Sequence, residues 1–349
     1  MNVSEIAKLA KVSTATVSRT INRVPTVDPV LARRVWRVID RVGYFPNTHA
    51  RTLVQGHSRI IGLMVSDTIS FSDMVQRFAE LSGEHGYEVL LSPILGDWRR
   101  LDVAARRFIE RRVDGVAILT FRRETSLVEA FRRNKVPLFA LELGSEDRLS
   151  TTIRINYEHG IRQAVQHLAA LRHTRIAFVS GPADLNAAVD RKIAFESCIR
   201  EIGLDIASAP FVEGDHTIEG GIKAMATLAN LNCPPSAVVC SNDLTAIGVM
   251  REAFLRGLHV PRNLSVIGID DIATARVMTP PLTTVDISQI EIAEAAFRAL
   301  GLSAEEEDDG SLRQQYVVKT KLVLRGSTAI APDRAEVKWS EPANRLNTN

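Results

Sequence analysis

The segment VSTATVSRTIN (12–22) carries the clearest chemistry in the chain. Read as a helix begun at Ser13, it turns Val17 and Ile21 inward and leaves Thr14, Ala15, Ser18, Arg19 and Asn22 on the opposite side. A face of small side chains, hydrogen-bonding groups and one guanidinium fits a DNA major groove, where small residues allow close approach and Arg can pair with guanine. Catalytic spacings are missing: the sequence has no GxxxxGK phosphate loop, no HExxH and no GxSxG. Asp270 and Asp271 are sequence neighbours, whose side chains diverge, so they form no glycosidase pair by themselves. Cys198, Cys233 and Cys240 are odd in number and lack CxxC spacing, against a disulfide framework or a structural zinc. No cofactor or metal is implied, and a reducing cytoplasm is the expected compartment.

The helix that carries Arg19 needs neighbours to hold it. Three short helices are predicted: one from about Ser4, taken as its N-cap, to Ala10; one from Ser13 to about Asn22; and one capped by Asp28, with Pro29 first and Gly43 at its end. The spacing of the first two is that of a helix-turn-helix. On the third, Leu31, Val35, Val38 and Val42 form the apolar stripe, and Arg33, Arg34, Arg37 and Arg41 take the solvated surface. Charge supports the assignment. Residues 1–59 hold ten Lys and Arg against three acids, a charge of +7, whereas the whole 349-residue chain is only +2 and the remainder therefore −5. A basic head on an acidic body points to a polyanionic partner.

Beyond Gly56 the pattern changes. Short β-branched runs such as IIGLMV (60–65), VDGVAILT (113–120), RIAFVSG (175–181), SAVVCS (236–241) and LSVIGID (264–270) alternate with amphipathic stretches. That alternation means βαβ units, and some 270 residues exceed one such sheet, so two similar α/β lobes are expected. No apolar run approaches the roughly 18 residues of a membrane span.

VSTATVSRTIN followed by YFPN (44–47) closely resembles the lactose-repressor (LacI/GalR) family of bacterial transcription regulators. The resemblance continues through HLAALRHTRIAFVSGP (167–182), AVVCSNDLTAIGVM (237–250) and SVIGIDDIATARVMTPPLTTV (265–285), covering residues 2 to about 326. It implies an all-α helix-turn-helix head, residues 1–46. A hinge helix, 47–57, folds on the operator. The body, 58–330, resembles a periplasmic binding protein, with two doubly wound parallel-sheet lobes, one about 58–155 and 288–318, the other about 156–286 and 319–330. Residues 331–349 read as a loose tail.

The resemblance also implies roles. Thr14, Ala15 and Arg19 read bases, and Thr16, Ser18, Asn22, Tyr44 and Asn47 hold phosphates. Leu53 wedges into the minor groove at the operator centre. Phe71, Glu142, Arg191, His216, Asn242 and Asp270 face a polar effector, expected to be a sugar or sugar derivative. The function expected is a homodimeric regulator, a repressor, bound to palindromic operator DNA and controlled by a small metabolite. An enzyme or a ligand carrier with an accessory head is the competing class; removing residues 1–57 discriminates, since only a regulator would lose specific DNA binding. The sequence departs from the family at Lys11 and Arg172, where Gly is usual, at His49 in the hinge, at His216, where an aromatic platform is common, and at Ile287, where some members are polar.

Overall fold

The computed structural model describes residues 2–22, 24–44, 57–94, 99–120, 125–141, 150–301 and 316–333, in two compact units, Met1–Ser58 and Arg59–Asn349. The smaller unit holds α1 (Val3–Ala10), α2 (Thr14–Ile21) and α3 (Pro29–Val42). The cap of α1 is Asn2, not Ser4: Asn2 Oδ1 accepts from Glu5 N and Glu5 Oε2 from Asn2 N, both at 3.0 Å. This reciprocal box satisfies two orphan amides where Ser4 could satisfy one, so the helix starts earlier. Ser13 caps α2 as expected, accepting from Thr16 N at 3.0 Å. Asp28 accepts from Val30 N and Leu31 N, Pro29 opens α3, and Gly43 ends it at φ 61°. The core is Ile6, Ala7, Ala10, Val17, Val35 and Ile39, with Val38 and Val42 half-buried beside it, so the buried stripe of α3 is centred on Val35 and Ile39.

Arg34 is not part of the solvated arginine surface. Its Nη2 donates to Ala10 O at 2.8 Å and lies 3.4 Å from Lys11 O, capping the end of α1. The C-terminal carbonyls of a helix lack intrahelical partners, and a guanidinium there also complements the helix dipole. Lys11 stands at φ 52°, left-handed without glycine's freedom.

The larger unit contains two sheets. Strands β1 (Ile60–Val65), β2 (Glu88–Pro93), β3 (Gly115–Leu119), β4 (Leu138–Leu141), β5 (Ser150–Asn156) and β11 (Tyr316–Lys319) form one in the order β11-β5-β4-β3-β1-β2, all parallel. Strands β6 (Ile176–Val179), β7 (Phe211–Val212), β8 (Ala237–Cys240), β9 (Ser265–Asp270), β10 (Thr283–Asp286) and β12 (Lys321–Val323) form the other, β12-β10-β9-β8-β6-β7, with β12 alone antiparallel to its neighbour among these strands. The central strands β1, β3, β4, β6, β8 and β9 coincide with the apolar runs of the sequence and are buried on both faces. Strands β5, β7, β10, β11 and β12 carry no such run, being short or, like STTIRIN, largely polar.

Helices α4 (Ser72–Glu84), α5 (Arg99–Glu110) and α6 (Thr125–Arg133) connect strands of the first sheet. Helices α7 (Tyr157–Ala170), α8 (Asn186–Glu201), α9 (Ile218–Ala229), α10 (Asp243–Leu255) and α11 (Ala273–Val277) belong with the second. Helix α12 (Gln289–Ala299) follows β10 of the second sheet yet packs on α4 of the first. The chain therefore passes between sheets after β5, after β10 and between β11 and β12. Thr320 ties two passages: its hydroxyl donates to Asn156 O at 2.7 Å and accepts from Gly160 N at 2.8 Å. Arg172, ending the turn after α7, is left-handed at φ 68°.

Candidate functional site

On α2, Val17 is fully buried, while Thr14, Ala15, Ser18 and Arg19 are exposed together on the outer face. Asn22 is half-buried at its end. Thr16 is half-buried too, its hydroxyl 2.9 Å from Ser13 Oγ. Thr20 is buried and bonds back to Thr16 O at 2.8 Å, which keeps this polar residue off the outer face. Tyr44 is half-buried against the head core. Asn47, His49, Leu53 and the rest of hinge residues 47–56 lie outside the described residues, as does Glu142.

Between the two sheets of the body is a cavity of about 650 Å³. Five of the six residues singled out for an effector line it: Phe71, Arg191, His216, Asn242 and Asp270. They come from strand ends and helix starts, the place where an α/β sheet receives ligands. Phe71, the residue before α4, is 1% exposed and also belongs to the core, so it forms a wall. Ile287 is fully buried in that core and does not line the cavity.

Arg191 is the centre of the arrangement. Helix α8 carries it inward on the face of Ala187, Ala194 and Phe195, and it is 0% exposed. Its Nη2 donates to Asp270 Oδ1 at 3.0 Å, its Nη1 to Ser241 O, and its Cζ lies 4.5 Å from the centroid of the Tyr157 ring. A buried guanidinium persists only when paired and hydrogen-bonded, and here it is both. Burial pushes the Asp270 carboxyl up to about 6, against the opposing pull of Arg191.

Asp270 also has strained backbone, φ 111°, and Asp271 follows at φ 53°. Such conformations persist where surrounding contacts over-determine them. Asp243 supplies one such contact, accepting Ile272 N at 2.9 Å on one oxygen and Thr284 Oγ1 at 2.6 Å on the other. Burial and the nearby Asp270 hold the Asp243 carboxyl well above its ordinary range. Asp271 diverges from Asp270, as neighbours must, and pairs with Arg325 at 2.5 Å.

His216 is half-buried at φ 62°, its Nε2 2.9 Å from Ser241 Oγ. Burial, then Arg191, lowers its imidazole to about 3, so it is neutral at pH 7. The seat needs Gly181, because a Cβ there would come within 1.9 Å of His216 Nε2. Asn242 has structural duties as well: Nδ2 donates to His216 O at 3.0 Å and Oδ1 caps α10 through Thr245 N at 2.9 Å. The cavity also contains Asp67, Asp184, Asp215 and Glu219, which the sequence reading did not single out. Asp67 shapes its own loop, accepting Ile69 N, Ser70 N and Ser70 Oγ. Such a site can bind hydroxyl groups through a carboxylate, an amide and a neutral imidazole, with a guanidinium behind them. Among the described residues no group of three or more His, Cys, Asp or Glu could hold a metal ion.

Two family models match: bacterial regulatory proteins, lacI family, over residues 2–47, and periplasmic binding protein-like domain over residues 165–328. The ribose operon repressor of Escherichia coli K12 is 32% identical over 329 residues, 93% of this chain and 99% of that protein. The HTH-type transcriptional repressor CytR of the same strain is 31% identical over 337 residues, 95% and 97% of the two chains. A crystal structure of the Lac repressor bound to ONPG in the repressed state aligns over 94% of this chain and 99% of that one, with a TM-score of 0.79 and 25% identity.

Proposed function

This chain belongs to the lacI family of bacterial regulatory proteins, and we infer that it is a homodimeric repressor whose operator affinity is set by a neutral, polyhydroxylated molecule bound between its lobes. The relatives reported above are transcription repressors, and the exposed face of α2 supports base reading by Thr14, Ala15 and Arg19. Thr16, Ser18, Asn22, Tyr44 and Asn47 hold phosphates in this reading, Leu53 wedges the operator centre, and the protein works in the cytoplasm. Two-fold pairing follows from the small size of one head, which covers a single half-site.

The observation that carries the effector assignment is the buried Arg191–Asp270 pair facing the interlobe cavity. Charged partners make strong hydrogen bonds to hydroxyls. The described lining holds five carboxylates (Asp67, Asp184, Asp215, Glu219, Asp270) and one guanidinium, which supports a ligand without phosphate. In this reading Glu142, which lies outside the described residues, is a further effector contact. The effector is a free sugar or nucleoside.

The test is a thermal-shift screen of the full chain with D-ribose, D-glucose and cytidine, each beside its phosphorylated form. A true effector at 100 times its dissociation constant stabilises by about 2.7 kcal/mol. The compound found is then titrated into a complex with an operator selected from random duplexes, comparing wild type with Asp270→Asn. Asn is preferred to Ala because stripping Arg191 of its partner altogether costs about 3–5 kcal/mol. The variant is expected to lose the response; a response at the wild-type concentration, or stabilisation by phosphorylated compounds alone, overturns the assignment.

A further inference from the structure

Gln289, the first residue of α12, is 4% exposed and spans the seam between the lobes. Its Nε2 donates to Ser70 O at 2.9 Å and to Asp270 O at 3.2 Å, and its Oε1 accepts from Met74 N at 3.2 Å. Both amide hydrogens and one oxygen are thus committed, and the flipped amide would set an oxygen against two carbonyls. Ser70 precedes α4 and lines the cavity from the first lobe, and Met74 lies in the first turn of that helix. Asp270 ends β9 in the second lobe and carries the strained φ of 111°. One side chain therefore joins a lobe-one wall to the main chain of the cavity's carboxylate. On the same seam Arg276 of α11 pairs with Asp73 of α4 at 2.8 Å and donates to Asp271 O at 3.1 Å.

We propose that Gln289 is a positioning residue, a clasp that holds the 70–74 segment of one lobe against the Asp270 main chain of the other and so sets the opening of the cleft. The proposal rests on reading that cleft as the effector site. While the clasp is made, the Asp270 main chain and the lobe-one wall move together, because the Gln289 amide is bonded to both. A buried amide left half-bonded is costly, so the clasp favours two discrete arrangements, made or broken, over a graded one.

The test is hydrogen exchange on the full chain without DNA or effector, so its failure is separable from failure of the effector assignment. The reporters are the Met74 amide, bonded to Gln289, and the Ile272 amide, bonded to buried Asp243 two residues beyond Asp270. Gln289→Glu sets a carboxylate against two carbonyl oxygens, and Gln289→Met keeps the bulk without the bonds; the second serves if the first fails to fold. Both are expected to speed exchange at least tenfold at Met74 and Ile272 together. Arg77→Gln, which breaks the Arg77–Glu294 pair between the same two helices, is expected to affect α4 and leave Ile272 unchanged. A Gln289 that merely packs α12 on α4 would do the same. Exchange at Ile272 at the wild-type rate in the Gln289 variants overturns the proposal. So does uniform acceleration through β1, β3 and β8, which reports general destabilisation.

Discussion

At the scale of single residues, the cleft contains two titrations that pull in opposite directions. Asp270, raised to about 6, lets the folded chain hold a proton that the unfolded chain releases near 3.8. Its contribution to stability is full below 3.8 and fades as pH rises through 6. His216, lowered to about 3 from 6.5, does the reverse: the unfolded chain takes up a proton the folded chain refuses, so stability falls as pH drops below 6.5. The two offset each other between pH 4 and 6, and His216→Gln should expose the Asp270 trend, with Tm rising as pH falls through that window. A Tm that still falls there in the variant would contradict the assignment. Effector binding follows Asp270 alone if hydroxyls donate to its ionised carboxylate. The dissociation constant is then expected to rise about tenfold per pH unit below 6, measured by calorimetric titration. In the head, Arg19→Ala should cost about 1–3 kcal/mol on the operator and much less on random duplex; equal losses on both would make Arg19 a phosphate contact. Asn242 and Asp270 could be placed on the cleft from sequence because they lie inside family motifs, and Arg191 and His216 because the blocks on either side fix the alignment between them. Gln289 carries no motif. Its one sequence signal is an amide three and four residues before buried Ile292 and Ala293, on the apolar stripe of its helix.

At the scale of elements, the helices of the head were readable because their caps are local: Ser13, Asp28 and Gly43 each act within three or four residues of themselves. Arg34 was not, since its bond to Ala10 O bridges 24 positions and no local pattern encodes it. Arg34→Ala tests that cap. A solvated or phosphate-bound arginine would cost salt-dependent DNA affinity; the observed cap predicts a head that unfolds at lower temperature without DNA. Differential scanning calorimetry should show that loss, and an unchanged head transition would return Arg34 to the surface set. Lys11 gives the converse expectation. Its left-handed backbone costs about 1 kcal/mol relative to glycine, so Lys11→Gly should stabilise the head where Arg34→Ala destabilises it. The same argument holds for Arg172 in the body. In the body, central strands showed as apolar runs, whereas β11 and β12 are four and three residues long and owe their pairing to distant neighbours.

For the whole molecule, linkage sets a constraint that no contact list can evade. Whatever factor the effector imposes on operator affinity, the operator imposes on effector affinity, typically about 5–150-fold. Calorimetric titration of effector into the free protein and into the operator complex should give the same ratio as operator titrations with and without effector. Unequal ratios would mean that one titration is reporting a second site. The two-sheet plan was legible as an alternation of strand and helix signals; the three passages between sheets were not, because a passage is a fact about pairing rather than about local pattern. Those passages also bear on how the chain emerges from the ribosome. Residues 316–323 supply the β11 and β12 edges of both sheets, so neither sheet is complete until residue 323 is made. Among the described residues the core of the head, by contrast, lies within residues 3–44, so it can form while the body is still being synthesised. A nascent chain of this protein would then hold a finished DNA-reading face before it has a cleft through which that face can be governed.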